Sequence, residues 1–169
     1  MLERLVPIER RPTGWRRWLL NLPLLLDALH LNRLLGARFA VIVHRGRHSG
    51  RLRRTPLEVV RHDPATGEIV VASGWGRQAG WYQNILAAPV VAVHHAGRRF
   101  HPIQRFLQAD EAAAEMASYA ERHPAAARTL GRWMSGAAFD NSPEDIRRLV
   151  ARVPFVAFRP PDVPSSPAA

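Results

Sequence analysis

The chain contains no cysteine, and its 24 basic side chains include no lysine: every one is arginine. The first absence excludes disulfides, thiolate catalysis and cysteine-ligated metal sites, and fits a reducing compartment. Long apolar runs are also missing. The most apolar stretch, Trp18 to Leu35, is interrupted by Pro23, Asp27, His30 and Arg33 and makes a poor membrane span. Met1 to Thr13 carries acids and arginines and lacks the apolar core and cleavage site of a secretory signal, so a cytoplasmic location is expected. A Walker pattern and a dinucleotide fingerprint are both absent. His44, His62, His94, His95 and His101 fall on expected strands without a metal-ligand spacing, so no metal site is assigned. No Ser-His-Asp arrangement can be argued, and no residue is assigned as a catalytic nucleophile.

What is present is a globular composition with an excess of positive charge. The 169 residues are 47% apolar and 22% charged, which suits one domain with a real core. Acids number 14 against 24 arginines, for a formal net charge of +10. One reading is compositional, because alanine, proline and valine are abundant too. The other is an anionic partner: a phosphate, a nucleic acid, a carboxylated cofactor or an acidic membrane surface. Aromatic residues are not interleaved with the arginines as a base-stacking platform would have them, so nucleic acid is not expected.

The patterning divides residues 1–160 into a run of short elements without a linker or internal repeat, followed by a Pro-Ser-rich tail, 161–169, expected to be disordered. Residues 14–36 read as an N-terminal helix or broken helix pair, kinked at Pro23 and stopped at Gly36. That segment either packs on the core or touches a membrane surface, with Trp15 and Trp18 at the interface. Strands are expected at 38–44, 53–62 and 69–74, joined by turns at 45–50 and 63–68. A short helix at 81–88 is stopped by Pro89. A hairpin follows, with strands 90–95 and 99–108. Helices are expected at 109–123, 124–136 and 142–153, and a last strand at 154–160. Five or six short strands with helices between and after them predict an α+β fold, a small closed β-barrel decorated by helices.

Two stretches can carry chemistry. "HRGRHSGRLRRTPLEV", residues 44–59, puts Arg45, Arg47, Arg51, Arg53 and Arg54 on a hairpin that has no structural need of them. Gly46 and Gly50 permit a tight turn, whose successive amides can form an anion nest beside the Ser49 hydroxyl. Guanidinium forks match phosphate or carboxylate. Alternation puts Arg53 and Thr55 on one side of the strand and Arg54 and Pro56 on the other. The second stretch, "ASGWGRQAGWYQN", residues 72–84, is a glycine loop running into a helix whose Trp81 and Asn84 share a face. Trp81 there is expected to be core and Asn84 to bond backbone.

Together, "GRHSGRLRRTPLEVV", "EIVVASGWG", "WYQNILAAP" and "VAVHHAGRRF" resemble the deazaflavin-dependent nitroreductase and quinone reductase family, closely over residues 36–108. The resemblance implies an FMN-binding-like split β-barrel that binds coenzyme F-420, an 8-hydroxy-5-deazaflavin with an anionic phosphodiester and polyglutamate tail. It implies hydride transfer from the reduced coenzyme to a small hydrophobic acceptor: a quinone, a nitro-compound or an activated alkene. By matching positions, Arg47, His48, Ser49, Gly50 and Arg53 would grip phosphate and tail. Thr55 and Pro56 would lie along the ring system. Ser73, Gly74, Trp75 and Gly76 would close over cofactor and substrate, with Trp81 and Asn84 shaping the wall. Trp75, Tyr82, His123 and Trp133 are the candidate acceptor contacts.

The chain departs from the family pattern at three places. His48 stands where lysine is usual, an imidazole in place of a permanent cation. Gly74-Trp75 replaces a Lys-Gly pair, and "HPAAARTLGRW" replaces a tyrosine-rich substrate helix. FMN is the alternative cofactor, and a non-catalytic deazaflavin carrier the alternative function. The expected assembly is a monomer or homodimer. A peripheral position at the inner face of the membrane, through residues 14–36, is the alternative location.

Overall fold

The computed structural model describes residues 38–161. The expected helix at 14–36 and nearly all of the expected tail lie outside the described residues. Strands β1 (Phe39–Arg45), β2 (Leu52–His62) and β3 (Ile69–Ala72) are followed by a single 3-10 turn at Gly76–Gln78 and helix α1 (Gly80–Ala87). Then come β4 (Ala92–His95), β5 (Arg98–Phe100), β6 (Ile103–Phe106), α2 (Ala109–Arg122), α3 (Pro124–Ser135), α4 (Pro143–Val150) and β7 (Phe155–Arg159).

The seven strands form one antiparallel sheet in the order β5-β4-β1-β2-β3-β7-β6. This order requires a barrel. β5 and β6 are the two outer strands, yet only His101 and Pro102 separate them in sequence. Two residues span at most roughly 10 Å, so the sheet must curl until its edges meet. The edges are not hydrogen-bonded to each other, which makes the barrel split rather than closed. Here the structure corrects the expected strand at 99–108. Pro102 has no N–H for a ladder, and the chain breaks there into two strands that pair with different partners.

A register shift between Val59 and Arg61 bends β2, the longest strand, and lets it serve both halves of the sheet. Inward-facing side chains alternate along the strands. Ala40 and Ile42 of β1, Leu57 and Val59 of β2, Ile69 and Val71 of β3, Val93 of β4, and Val156 and Phe158 of β7 fill the barrel. α1 closes it with Trp81, Tyr82 and Ile85. On β3 and β7 the opposite face is buried as well, because Val70, Phe155 and Ala157 pack under α2, α3 and α4 with Met116, Tyr119, Phe139, Ile146 and Leu149. Two buried faces explain why these strands read as unbroken apolar runs.

Acids where α2 meets the sheet have arginine partners. Glu115 and Glu68 bind Arg61 at 2.7 and 2.5 Å, and Glu111 binds Arg105 at 2.6 Å. The positive charge is therefore partly neutralised where the helices meet the sheet. Among the described residues, Arg45, Arg47, Arg51 and Arg53 at the β1–β2 turn make no ion pair with a carboxylate.

Candidate functional site

The same alternation that builds the core builds a site at its rim. Following β1 outward, the inward positions run Ala40, Ile42, His44; following β2 they run Leu57, Thr55, Arg53, with His44 opposite Arg53 and Ile42 opposite Thr55. The inner surface thus passes from apolar to polar within two steps. The barrel interior is filled by side chains, and the polar inward positions lie at this rim.

α1 lies over the same end. β3 runs antiparallel to β2, so its C-terminal end and the loop after it point toward the rim. Trp81, Asn84 and Ile85, at i, i+3 and i+4, face inward together. Trp81 and Ile85 join the core, and Asn84 reaches the β1–β2 turn. Its Oδ1 accepts from the backbone N–H of Arg47 at 3.0 Å and from the Arg47 guanidinium at 3.2 Å. Its Nδ2 lies 3.2 Å from Nδ1 of His44, whose Nε2 lies 3.0 Å from Thr55 Oγ1. Four residues from β1, β2, the turn and α1 are thereby tied into one chain of bonds. Gln104 of β6 anchors the far end of α1 by accepting from Val90 N–H and donating to the Ile85 carbonyl.

His44 is 1% exposed. Burial holds its pKa below the ordinary imidazole value; the Arg45 backbone opposes this in part, and the nearby charge of Arg53 adds a smaller lowering. It was assigned no role from the sequence. The signal for it was present in the register, since His44 is two residues beyond inward-facing Ile42 and opposite Arg53.

The turn is tight. Gly50 has φ +65°, and a Cβ on Gly46 would stand 2.8 Å from Ser49 Oγ and 2.9 Å from Arg53 Nε. The Arg53 side chain therefore lies against the Gly46 backbone. The anion nest expected from the glycines is closed at four positions. Gly46 N–H donates to the Arg51 carbonyl, Gly50 N–H to the Gly46 carbonyl, Arg47 N–H to Asn84 and Arg51 N–H to Ser49 Oγ. The capacity to hold an anion passes to the guanidinium groups, with His48 exposed at the tip.

The loop after β3 is organised by Ser73, which is fully buried. Its hydroxyl donates to the Gly76 carbonyl at 2.8 Å, so Ser73 shapes the loop from within. Trp133 lies on Gly74, where a Cβ would come within 2.5 Å of its ring, and meets Trp75 edge to face at 5.0 Å. Trp133 is half exposed, so this pair is an open aromatic surface.

The structure brings Arg47, Arg53, Thr55 and Asn84 together with His44. It places other predicted residues elsewhere. Pro56 is on the face of β2 opposite to Thr55. Tyr82 is buried against Phe106 and lines a separate cavity of about 310 Å³ with Leu107, Phe155 and Arg77. His123, its ring tilted against Tyr119, and Trp133 flank opposite ends of α3, roughly 15 Å apart along its axis.

Comparison with known proteins agrees with this architecture. The family profile described as F-420H(2)-dependent quinone reductase matches residues 27–131. No curated protein matches the chain. Among solved structures, a chain described as a domain-swapped dimer is 18% identical and covers 86% of this chain and 99% of its own, with a TM-score of 0.51. An F-420-H2-dependent reductase is 19% identical over 72% of this chain and 93% of that one, with a TM-score of 0.48. An FMN binding protein related to pyridoxamine 5'-phosphate oxidase, from Nostoc punctiforme, is 15% identical over 83% and 80%, with a TM-score of 0.48. With the profile spanning more than half of its length, the chain belongs to the F-420H2-dependent quinone reductase family and is a split-barrel oxidoreductase that uses the reduced deazaflavin coenzyme.

Proposed function

We propose that the acceptor is a flat, apolar molecule of the quinone class, and that the rim between the β1–β2 turn and α1 holds the coenzyme. The residues fit such a group. An anionic tail needs cations that are not already neutralised, and Arg47 and Arg53 meet that need. A ring system needs a polar edge to bond, and half-buried Thr55 beside Arg53 offers one. When bound, the reduced coenzyme supplies a hydride from its ring carbon.

The chain's own contribution is alignment and exclusion of water. Arg47 and Arg53 hold the tail, with Arg47 itself braced by Asn84. The open Trp75–Trp133 pair is the observation that carries the acceptor class, because an aromatic edge and face with no charged group between them suit an apolar ring. His123 and Tyr82 are not part of this reading.

The test is stopped-flow oxidation of the reduced coenzyme with quinones, nitro-compounds and activated alkenes. Quinones should react fastest, and Trp75→Ala and Trp133→Ala should lower turnover more than coenzyme affinity. A faster nitro-compound reaction overturns the acceptor class. Bound coenzyme that no acceptor oxidises faster than free coenzyme favours a carrier. Tighter binding of FMN in a parallel titration removes the cofactor assignment.

A further inference from the structure

We infer that His44 is a positioning residue that makes the Thr55 hydroxyl a hydrogen-bond donor toward the ligand. The inference rests on the proposed placement of the coenzyme ring at this rim.

The argument is a matter of donors and acceptors. Arg47 presents only donors to Asn84, its backbone N–H at 3.0 Å and its guanidinium at 3.2 Å. The Asn84 atom facing them is therefore the carbonyl oxygen, and the amide nitrogen faces His44. That nitrogen is itself a donor only. Nδ1 of His44, 3.2 Å away, must then be the unprotonated acceptor, and the imidazole proton resides on Nε2. Nε2–H points at Thr55 Oγ1, 3.0 Å away, so the hydroxyl oxygen accepts. The hydroxyl's own proton is left to be given elsewhere. Thr55 is half-buried at the rim, beside exposed Arg53.

The polarity of the chain, guanidinium to amide to imidazole to hydroxyl, runs outward from Arg47 and ends at the ligand. A hydroxyl held this way selects a lone-pair atom, a carbonyl or a deprotonated ring position, on whatever lies along β2. The charged group that acts on His44 is Arg53 from β2, and its cation opposes a second proton on the imidazole. Buried His44 acts on the ligand only through Thr55, which distinguishes it from a catalytic residue.

The experiment has two arms on the full-length protein. The first needs no coenzyme: ¹⁵N-imidazole NMR of the free protein at pH 7 should report His44 as neutral with the proton on Nε2. Thr55→Val should leave that tautomer in place, and Asn84→Asp should add a proton at Nδ1. A proton on Nδ1 in the wild type overturns the inference. The second arm compares single-turnover hydride transfer and the absorption band of bound coenzyme in wild type, Thr55→Ser, Thr55→Val, His44→Leu and the double variant.

Thr55→Val and His44→Leu should each slow transfer roughly tenfold, the scale of one hydrogen bond, and shift the band alike. Thr55→Ser should restore the wild-type rate and band. The double variant should be no slower than Thr55→Val alone. Additive losses, or loss in His44→Leu with an unchanged band, overturn the inference and assign His44 a packing role. If wild type neither binds nor oxidises the deazaflavin, the placement of the coenzyme has failed instead, and the tautomer arm still reads the bond polarity.

Discussion

Replacing Asn84 by alanine removes the piece that ties α1 to the β1–β2 turn. Three hydrogen bonds go: to the Arg47 backbone, to the Arg47 guanidinium and to His44 Nδ1. Their costs differ. Arg47 is exposed, and water replaces what its donors lose, so those two bonds together contribute about 1 kcal/mol net. His44 is 1% exposed, and its Nδ1 is left as a buried acceptor without a donor, at about 1–3 kcal/mol. The sum is about 2–4 kcal/mol, or roughly 5–15 °C in melting temperature for a domain of this size. Differential scanning calorimetry measures the stability, and fluorescence titration measures coenzyme affinity. Affinity should fall about tenfold as Arg47 loses its brace. Asn84→Asp provides the control. It keeps an acceptor for Arg47 and sets a carboxylate against Nδ1, so it should raise the His44 pKa and retain most of the affinity. An Asn84→Ala protein that melts with wild type and binds coenzyme equally would refute the idea that this bond chain organises the site.

Arg47→Ala and Arg53→Ala should each weaken coenzyme binding by about 1.5–3 kcal/mol, whereas Arg159→Ala on β7 should change it little; equal losses at all three in isothermal titration would mean diffuse attraction only. Gly131→Ala should destabilise the fold by about 1–3 kcal/mol or more in urea unfolding, because its Cβ would lie 2.1–2.5 Å from the buried ring of Phe139. That outweighs the roughly 1 kcal/mol by which alanine is the better helix former. The pH dependence follows from His44, whose folded pKa is lowered from 6.5. The unfolded chain binds this proton more readily, so the stability owed to neutral His44 is complete above about pH 6.5 and is lost as pH falls through the lower folded value. Urea titrations at several pH values should show a shallower acid loss in His44→Gln than in wild type.

Much of this molecule could be read from the chain alone. Hydrophobic alternation and turn residues located every element from β1 to β4 within a few residues, because those signals are local and the backbone obeys them locally. The excess of arginine at residues 45–54 marked the proposed site for the same reason: a hairpin does not require it. Only the tertiary structure decided the rest. The break at His101–Pro102 looks like one strand in sequence, and becomes a crossing between opposite sheet edges once each half finds its own partner. Glu111 and Glu115 have no partner near them along the helix sequence, and only the packing of α2 on the sheet sets them against Arg105 and Arg61. Tyr82, His123 and Trp133 read as one group of contacts, yet helix geometry and burial send them to different places. His44 was legible as a strand residue, but its meaning depends on Arg47, Asn84 and Thr55, which come from three other elements. Sequence carries what neighbours along the chain dictate, and a directed chain of hydrogen bonds exists only when distant segments are held within about 3 Å of one another.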